Sequence, residues 1–270
     1  MRVIVTRPRK EARQWVDALM EGGYDARSLP LISVLPAPDP TAVVAAWSRL
    51  TDFAAVMFVS GNAIDHFFAL KPPLAPEFIE NDAIKIRAFI TGPGSLSALR
   101  RAGIEQGCID MPDRDVGQFD SEALWSVVAN RIQPGYRVLI VRGADSASAG
   151  SGDGSKPSEG AGRDWFANRV CEAGGLVEFV VSYQRCRPDL LADDLTLVRE
   201  AAADGSVWLF SSSEAIANLC ALCPGQDWSR GRAVVTHSRI ALAARDAGFS
   251  VVYESRPTLV ALMASIESLA

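Results

Sequence analysis

Val3-Ile4-Val5-Thr6-Arg7 recurs as Val138-Leu139-Ile140-Val141-Arg142. In both places a short apolar run ends at an arginine. A helical stretch follows, then a glycine pair (Gly22-Gly23 and Gly174-Gly175), then another β-rich run. A continuous run of Val, Ile and Leu is what a strand buried on both faces requires, and strand–helix–strand is the unit of a parallel sheet. Two further blocks repeat in the same order. Phe58-Val59-Ser60-Gly61-Asn62-Ala63-Ile64 matches Phe210-Ser211-Ser212-Ser213-Glu214-Ala215-Ile216. Phe89-Ile90-Thr91, with a helix to Gly103, matches Val234-Val235-Thr236, with a helix to Gly248. The chain therefore reads as one unit duplicated.

Working outward, strands are expected at Arg2–Thr6, Ala26–Leu31, Ala54–Val59, Ala88–Thr91, Cys108–Met111, Val138–Val141, Val177–Ser182, Val207–Phe210, Ala233–Thr236 and Ser250–Tyr253. Helices are expected at Ala12–Glu21, Ser95–Ala102, Ser121–Arg131, Asp164–Ala173, Glu214–Leu222, Arg239–Ala247 and Thr258–Leu269, several ending at a capping glycine (Gly22, Gly103, Gly174, Gly248). So many strands exceed one ordinary open sheet. The fold class is α/β, with two similar doubly wound parallel-sheet domains of about five strands each. Pro30, Pro36, Pro38 and Pro40 mark one extended linker, and Tyr183 to Pro188 a second. Two assemblies fit: sequential domains meeting near Pro134, or residues 1–35 joined to 188–270 with 41–183 inserted. The residues alone leave both open. Residues 144–162, ADSASAGSGDGSKPSEGAG, hold no large apolar side chain and read as a flexible Gly/Ser-rich loop, either a lid or a tolerated insertion.

Composition removes several function classes. The chain has 270 residues, 49% hydrophobic and 22% charged, with 27 Lys+Arg against 32 Asp+Glu. That profile excludes disorder for most of the chain. A pI near 5.2, without a Lys/Arg run, argues against nucleic acid as a partner. No apolar run reaches the ~18–20 residues that span a bilayer, and MRVIVTRPRK is not a signal peptide. Five cysteines (Cys108, Cys171, Cys186, Cys220, Cys223) suit a reduced, cytoplasmic protein, expected to be a monomer.

Ligands of open parallel sheets bind beyond the carboxyl ends of the strands. Those ends carry Arg7-Pro8, Ser60-Gly61-Asn62, Thr91-Gly92-Pro93-Gly94-Ser95, Arg142-Gly143, Ser211-Ser212-Ser213 and His237-Ser238. Nearly all precede a helix, where backbone N–H groups and the helix dipole favour anions. The same residue types are also ordinary N-caps. Arg7 and Arg142 share a repeat position and could fork onto carboxylates; local ion pairs, Arg7 with Glu11 or Arg142 with Asp164, serve equally. Gly92-Pro93-Gly94 is not a dinucleotide fingerprint, and there is no phosphate loop, which counts against a nucleotide-dependent transferase. Cys220-Ala221-Leu222-Cys223 lacks a second pair and reads as helix-end packing. His66 reads as structural, and no Ser-His-Asp or Cys-His set is evident.

Taken together, Val5-Thr6-Arg7-Pro8, Leu29-Pro30-Leu31-Ile32, Phe58-Val59-Ser60-Gly61-Asn62-Ala63, Thr91-Gly92-Pro93-Gly94, Val141-Arg142-Gly143 with Gly162-Arg163, Tyr183-Gln184-Arg185, Phe210-Ser211-Ser212 and Arg256-Pro257-Thr258-Leu259 resemble the uroporphyrinogen-III synthase family in order and spacing. The resemblance covers essentially the whole chain. It implies the nested assembly, with linear hydroxymethylbilane as the small-molecule substrate in a cleft between the domains. It implies no cofactor and no metal, Tyr183 as the catalytic residue, Ser95 as a hydroxyl at a helix start, and a transient hand-over from hydroxymethylbilane synthase. Two departures are the longer 144–162 loop and His237-Ser238 where the family has a second glycine-proline turn. The rival reading is a non-enzymatic bilobal ligand-binding or regulatory protein.

Overall fold

The computed structural model describes residues 1–76, 78, 86–113, 119–145 and 161–269. The elements run β1 (Arg2–Val5), α1 (Arg9–Glu21), β2 (Asp25–Ser28), β3 (Ser33–Pro36), α2 (Thr41–Ser48), β4 (Ala55–Phe58), α3 (Gly61–Ala69), β5 (Arg87–Ile90), α4 (Pro93–Arg101), β6 (Ile109–Asp110) and α5 (Ser121–Val128). They continue with β7 (Arg137–Asp145), α6 (Ala161–Glu172), β8 (Leu176–Cys186), α7 (Ala192–Ala203), β9 (Val207–Phe210), α8 (Ser213–Leu222), β10 (Arg232–Val235), α9 (Ser238–Asp246), β11 (Val251–Glu254) and α10 (Leu259–Glu267). The chain divides into two compact units, Met1–Ser33 with Cys186–Ala270, and Val34–Arg185.

The first unit holds a sheet in the order β11-β10-β9-β1-β2, all four pairings parallel. The other sheet has the order β3-β8-β7-β4-β5-β6, with the pairings from β8 to β6 parallel. Alternation along each strand sends side chains to two separate cores. Ile4, Trp208, Phe210 and Val235 enter one core of the first unit, while Val3, Val5, Leu209 and Val234 enter the other. In the second unit Val56, Phe58 and Val141 face one way, and Ala55, Met57 and Ile140 the other. This is why those strands read as unbroken apolar runs.

The sequence repeat maps onto equivalent sheet positions. Read from β2, the first sheet runs β2-β1-β9-β10-β11; read from β8, the second runs β8-β7-β4-β5-β6. Thus β1-α1-β2 corresponds to β7-α6-β8, β9 to β4, and β10 to β5. Each sheet takes its β-α-β unit from one half of the chain and its remaining three equivalent strands from the other.

Several expectations are corrected. The second sheet has six strands, because Ser33–Pro36 adds β3 at its edge. The prolines around it read as a linker, but an edge strand accommodates a proline at its end. The linker expected from Tyr183 to Pro188 is largely strand: β8 extends to Cys186, with Tyr183, Gln184 and Arg185 opposite Gly143, Ala144 and Asp145. Of the loop expected at 144–162, Ala144 and Asp145 belong to β7, and Ala161 and Gly162 to α6; 146–160 lie outside the described residues. Helices α2, α3 and α7 are additions to the expected set, although Val43, Ala46, Trp47 and Val198, Ala201, Ala202 are each buried at i, i+3, i+4, and Ala63, Ile64, Phe67 at i, i+1, i+4. After α1 the left-handed residue is Gly23 (φ 85°), whereas Gly22 is at φ −75°.

No helix among the described residues is long and apolar enough to cross a membrane. A charged pair is buried in the second unit's sheet: Asp110 of β6, 6% exposed, accepts from Arg87 Nε at 2.6 Å and Nη2 at 2.8 Å, and from Arg131 at 3.4 Å. Removing Asp110 takes the carboxylate from the half-buried Arg87, whose Nη1 keeps its bond to the Gly107 carbonyl. Asp110→Ala should lower unfolding free energy by ~3–5 kcal/mol in urea titration; a loss below ~1 kcal/mol would show the pair is not needed.

Candidate functional site

In the second unit, Phe58 of β4 is in register with Val141 of β7 and Ile90 of β5. The turns that follow β4 and β5, Ser60-Gly61-Asn62 and Thr91-Gly92-Pro93-Gly94-Ser95, are therefore neighbours, whereas Arg142-Gly143, expected at a strand end, lies inside β7, which continues to Asp145 through its pairing with β8. Ser60 is the N-cap of α3, its Oγ accepting from the Ala63 N–H at 3.2 Å. Gly92 precedes α4, with Pro93 at the first helical position, where a missing N–H loses nothing. The Gly61 and Gly94 turns lie close, since a Cβ on Gly61 would stand 3.6 Å from the Gly94 carbonyl oxygen. Ser95 is buried within α4 at 7% exposure.

Tyr183 joins this group from β8. A register shift between Arg142 and Gly143 places it opposite Gly143, a bulge of the kind that re-aims side chains. Its ring lies against the Gly143 backbone: a Cβ there would come within 2.5 Å of Tyr183 Cζ. Glycine is required at 143 by that approach. The Tyr183 Oη is 3.2 Å from Ser60 Oγ, and the His66 ring stacks at 5.9 Å, 20° from coplanar. The adjacent Ser182 Oγ donates to the Ala63 carbonyl at 3.2 Å, tying β8 to the first turn of α3. Tyr183, expected at a linker, is a strand residue only 4% exposed. Arg142 places its guanidinium carbon 4.5 Å over the Phe179 ring.

The first unit groups the remaining candidates. Val5, Leu209 and Val234 are in register, so the turns after β1, β9 and β10 stand side by side. Arg7 pairs with Glu11 at 3.2 Å and lies 4.0 Å over Trp15. Burial pulls its pKa down, and Glu11 pulls it back up. Of the two uses of Arg7 open in the sequence, the local pair is present in this structure. Pro8 precedes α1 without a side-chain cap. Ser211 follows β9, and the next residue, Ser212, caps α8 by accepting from the Glu214 N–H at 3.2 Å; Ser213 begins that helix. His237 Nδ1 accepts from the Arg239 N–H at 3.0 Å and so caps α9, and Ser238 follows. The neighbouring Thr6 hydroxyl, 1% exposed, donates to the Leu209 carbonyl at 2.7 Å.

Three neighbours of the candidates had no functional signal in the sequence: His66, Trp15 and Phe179. Each matters only through a partner that the fold delivers, and for His66 that partner is distant in the chain. Among the described residues no group of three or more His, Cys, Asp or Glu could hold a metal ion. Cys220 and Cys223 pack against the first unit's core, and burial raises both thiols.

A family model for uroporphyrinogen-III synthase HemD matches residues 13–149, just over half the chain. The chain belongs to the uroporphyrinogen-III synthase family. Among solved structures, uroporphyrinogen-III synthetase from Helicobacter pylori is 14% identical, with TM-score 0.61 and full coverage of both chains. A mutant uroporphyrinogen III synthase from the extremely thermophilic bacterium Thermus thermophilus is 15% identical, with TM-score 0.52, covering 100% of this chain and 98% of that one. At such identities these two likenesses speak for the fold; membership of the uroporphyrinogen-III synthase family rests on the family model.

Gly143→Ala tests the packing of Tyr183 against the backbone. The added methyl displaces the ring, and misplacement by ~1 Å can cost on the order of 10²-fold in rate. Turnover of hydroxymethylbilane should fall at least about tenfold while circular dichroism stays that of the parent. Unchanged turnover would show that the ring's position is not critical.

Proposed function

We propose that this member of the family, a cyclising lyase of tetrapyrrole biosynthesis, uses Tyr183 to protonate the departing hydroxyl of hydroxymethylbilane. The observation that supports this role is the phenol's place: Tyr183 Oη lies 3.2 Å from Ser60 Oγ, at the carboxyl-end turns where parallel sheets bind ligands. Proton donation by a positioned side chain typically contributes ~10²–10⁴-fold.

The chemistry of the proposed substrate sets what the protein must do. Protonation lets the terminal C–O bond break, its electron pair leaving with water, while a pyrrole nitrogen pushes electrons to form an azafulvene cation. The substituted carbon of ring D attacks that cation to give a spiro intermediate. Fragmentation and rejoining invert ring D, and loss of a ring proton restores aromaticity and can return the phenol to its neutral state. The pyrroles supply the electrons, so the protein's tasks are proton delivery, orientation and suppression of direct closure.

The substrate's acetate and propionate carboxylates would meet Arg7 and Arg142, and the helix N-termini at Pro8, Ser60-Gly61-Asn62, Thr91-Gly92-Pro93-Gly94, Ser211-Ser212-Ser213 and His237-Ser238, while Gly143, inside β7, would serve by admitting the Tyr183 ring. Ser95, being buried, would act through the packing of α4. Each exposed helix end contributes a modest ~0.3–1 kcal/mol to anion binding. The same reading places the protein in the cytoplasm as a monomer, taking its substrate by transient hand-over from hydroxymethylbilane synthase.

Two outcomes are expected. Tyr183→Phe should lower kcat by ~10²–10⁴-fold with little change in KM; normal turnover would remove the phenol from the mechanism. Raising ionic strength from ~0.05 to ~0.5 M should raise KM several-fold, since exposed charges are screened within roughly 10 Å at 0.1 M. A salt-insensitive KM would contradict the placement of the carboxylates.

A further inference from the structure

We infer that Ser60 is a positioning residue that sets the direction in which the Tyr183 hydroxyl donates; this rests on the role proposed above for Tyr183. A serine hydroxyl has one hydrogen and two lone pairs. One lone pair of Ser60 Oγ accepts from the Ala63 N–H at 3.2 Å, the bond that starts α3. The Tyr183 Oη stands 3.2 Å from the same oxygen.

Two arrangements satisfy that second bond. In one, the phenol donates to the remaining lone pair of Ser60, and its hydrogen is withheld from substrate. In the other, Ser60 donates to the phenol oxygen, and the phenol hydrogen is free to transfer. Only the second delivers a proton. When the proton passes to the leaving oxygen, which departs as water, the phenolate keeps the Ser60 O–H as its donor. Hydrogen bonds to an ionised oxygen are about twice as strong as neutral ones. The Ala63 N–H, at the positive end of α3, polarises the same hydroxyl further. The phenolate is reprotonated by the proton released when the macrocycle regains aromaticity.

The surroundings hold both hydroxyls in register. Gly143 lies against the phenol ring, and His66 stacks along it. Ser182, next to Tyr183, donates to the Ala63 carbonyl, so the capping turn and the strand carrying the phenol are fastened to each other. Ser60 therefore does more than cap a helix. Its hydroxyl links the helix terminus to the proton donor.

The test is a double-mutant cycle with hydroxymethylbilane, using Ser60→Gly, Ser60→Thr, Tyr183→Phe and Ser60→Gly/Tyr183→Phe. Glycine is a good N-cap, so Ser60→Gly removes the hydroxyl while α3 keeps its start. Ser60→Gly is expected to lower kcat by ~10–100-fold with KM nearly constant, the weight of one hydrogen bond to a charged group. Ser60→Thr restores most of that rate. In the Tyr183→Phe background, Ser60→Gly adds nothing. If Tyr183→Phe is slow but Ser60→Gly turns over normally, the inference about Ser60 falls and the phenol's role stands. A Ser60→Gly effect of equal size in both backgrounds, or one carried by KM, also overturns it. Normal turnover by Tyr183→Phe removes the proton-donor reading itself.

Discussion

Burial of both faces of the central strands is the constraint on which the rest of this structure depends. Val3, Ile4 and Val5 are fully buried, as are Ala55, Val56 and Phe58, and alternate residues of each strand serve different cores. The strands buried on both faces along their whole length, β4 and β9, carry no polar residue. Hydroxyls, glycines and charged groups are consequently pushed to the strand ends. There they meet helix N-termini whose backbone donors need acceptors. The chemical character of the rim follows from the core.

Within that scheme the second unit holds Tyr183, the proposed proton donor. Its β7–β8 pairing carries a bulge at Arg142 and Gly143, and the shift puts Tyr183 against a glycine backbone instead of a side chain. The phenol consequently reaches the cap of α3, whose strand, β4, is β7's other neighbour. The equivalent pair in the first unit, β1 and β2, is four residues long in each strand and parallel throughout its register. Two copies of one architecture thus differ in strand length and regularity at the position where one of them carries Tyr183.

Much of the fold was legible because repeated local patterns carried it. Val3-Ile4-Val5 and Val138-Leu139-Ile140-Val141 announce doubly buried strands, and the structure places them at equivalent sheet positions. Prolines misled at β3, where an edge position tolerates what a central strand would not. Polar residues misled at Tyr183–Cys186, which reads as a connection yet continues β8. For Arg7 the sequence allowed either a ligand or Glu11, and only the packed structure shows the pair with Glu11 beside Trp15. The link between Ser60 and Tyr183 was out of reach, because 123 residues separate them and no local pattern encodes their approach. Strand ends could be named as candidates from sequence; which hydroxyl touches which could not.

On the proposed function this chain directs the closure of hydroxymethylbilane, with orientation as the main catalytic demand. The most direct measurement generates hydroxymethylbilane in situ, adds the purified chain, oxidises the products and resolves the porphyrin isomers. The expected product is dominated by isomer III, with ring D inverted. Isomer I alone, formed at the uncatalysed rate in the presence of demonstrably folded protein, would contradict it.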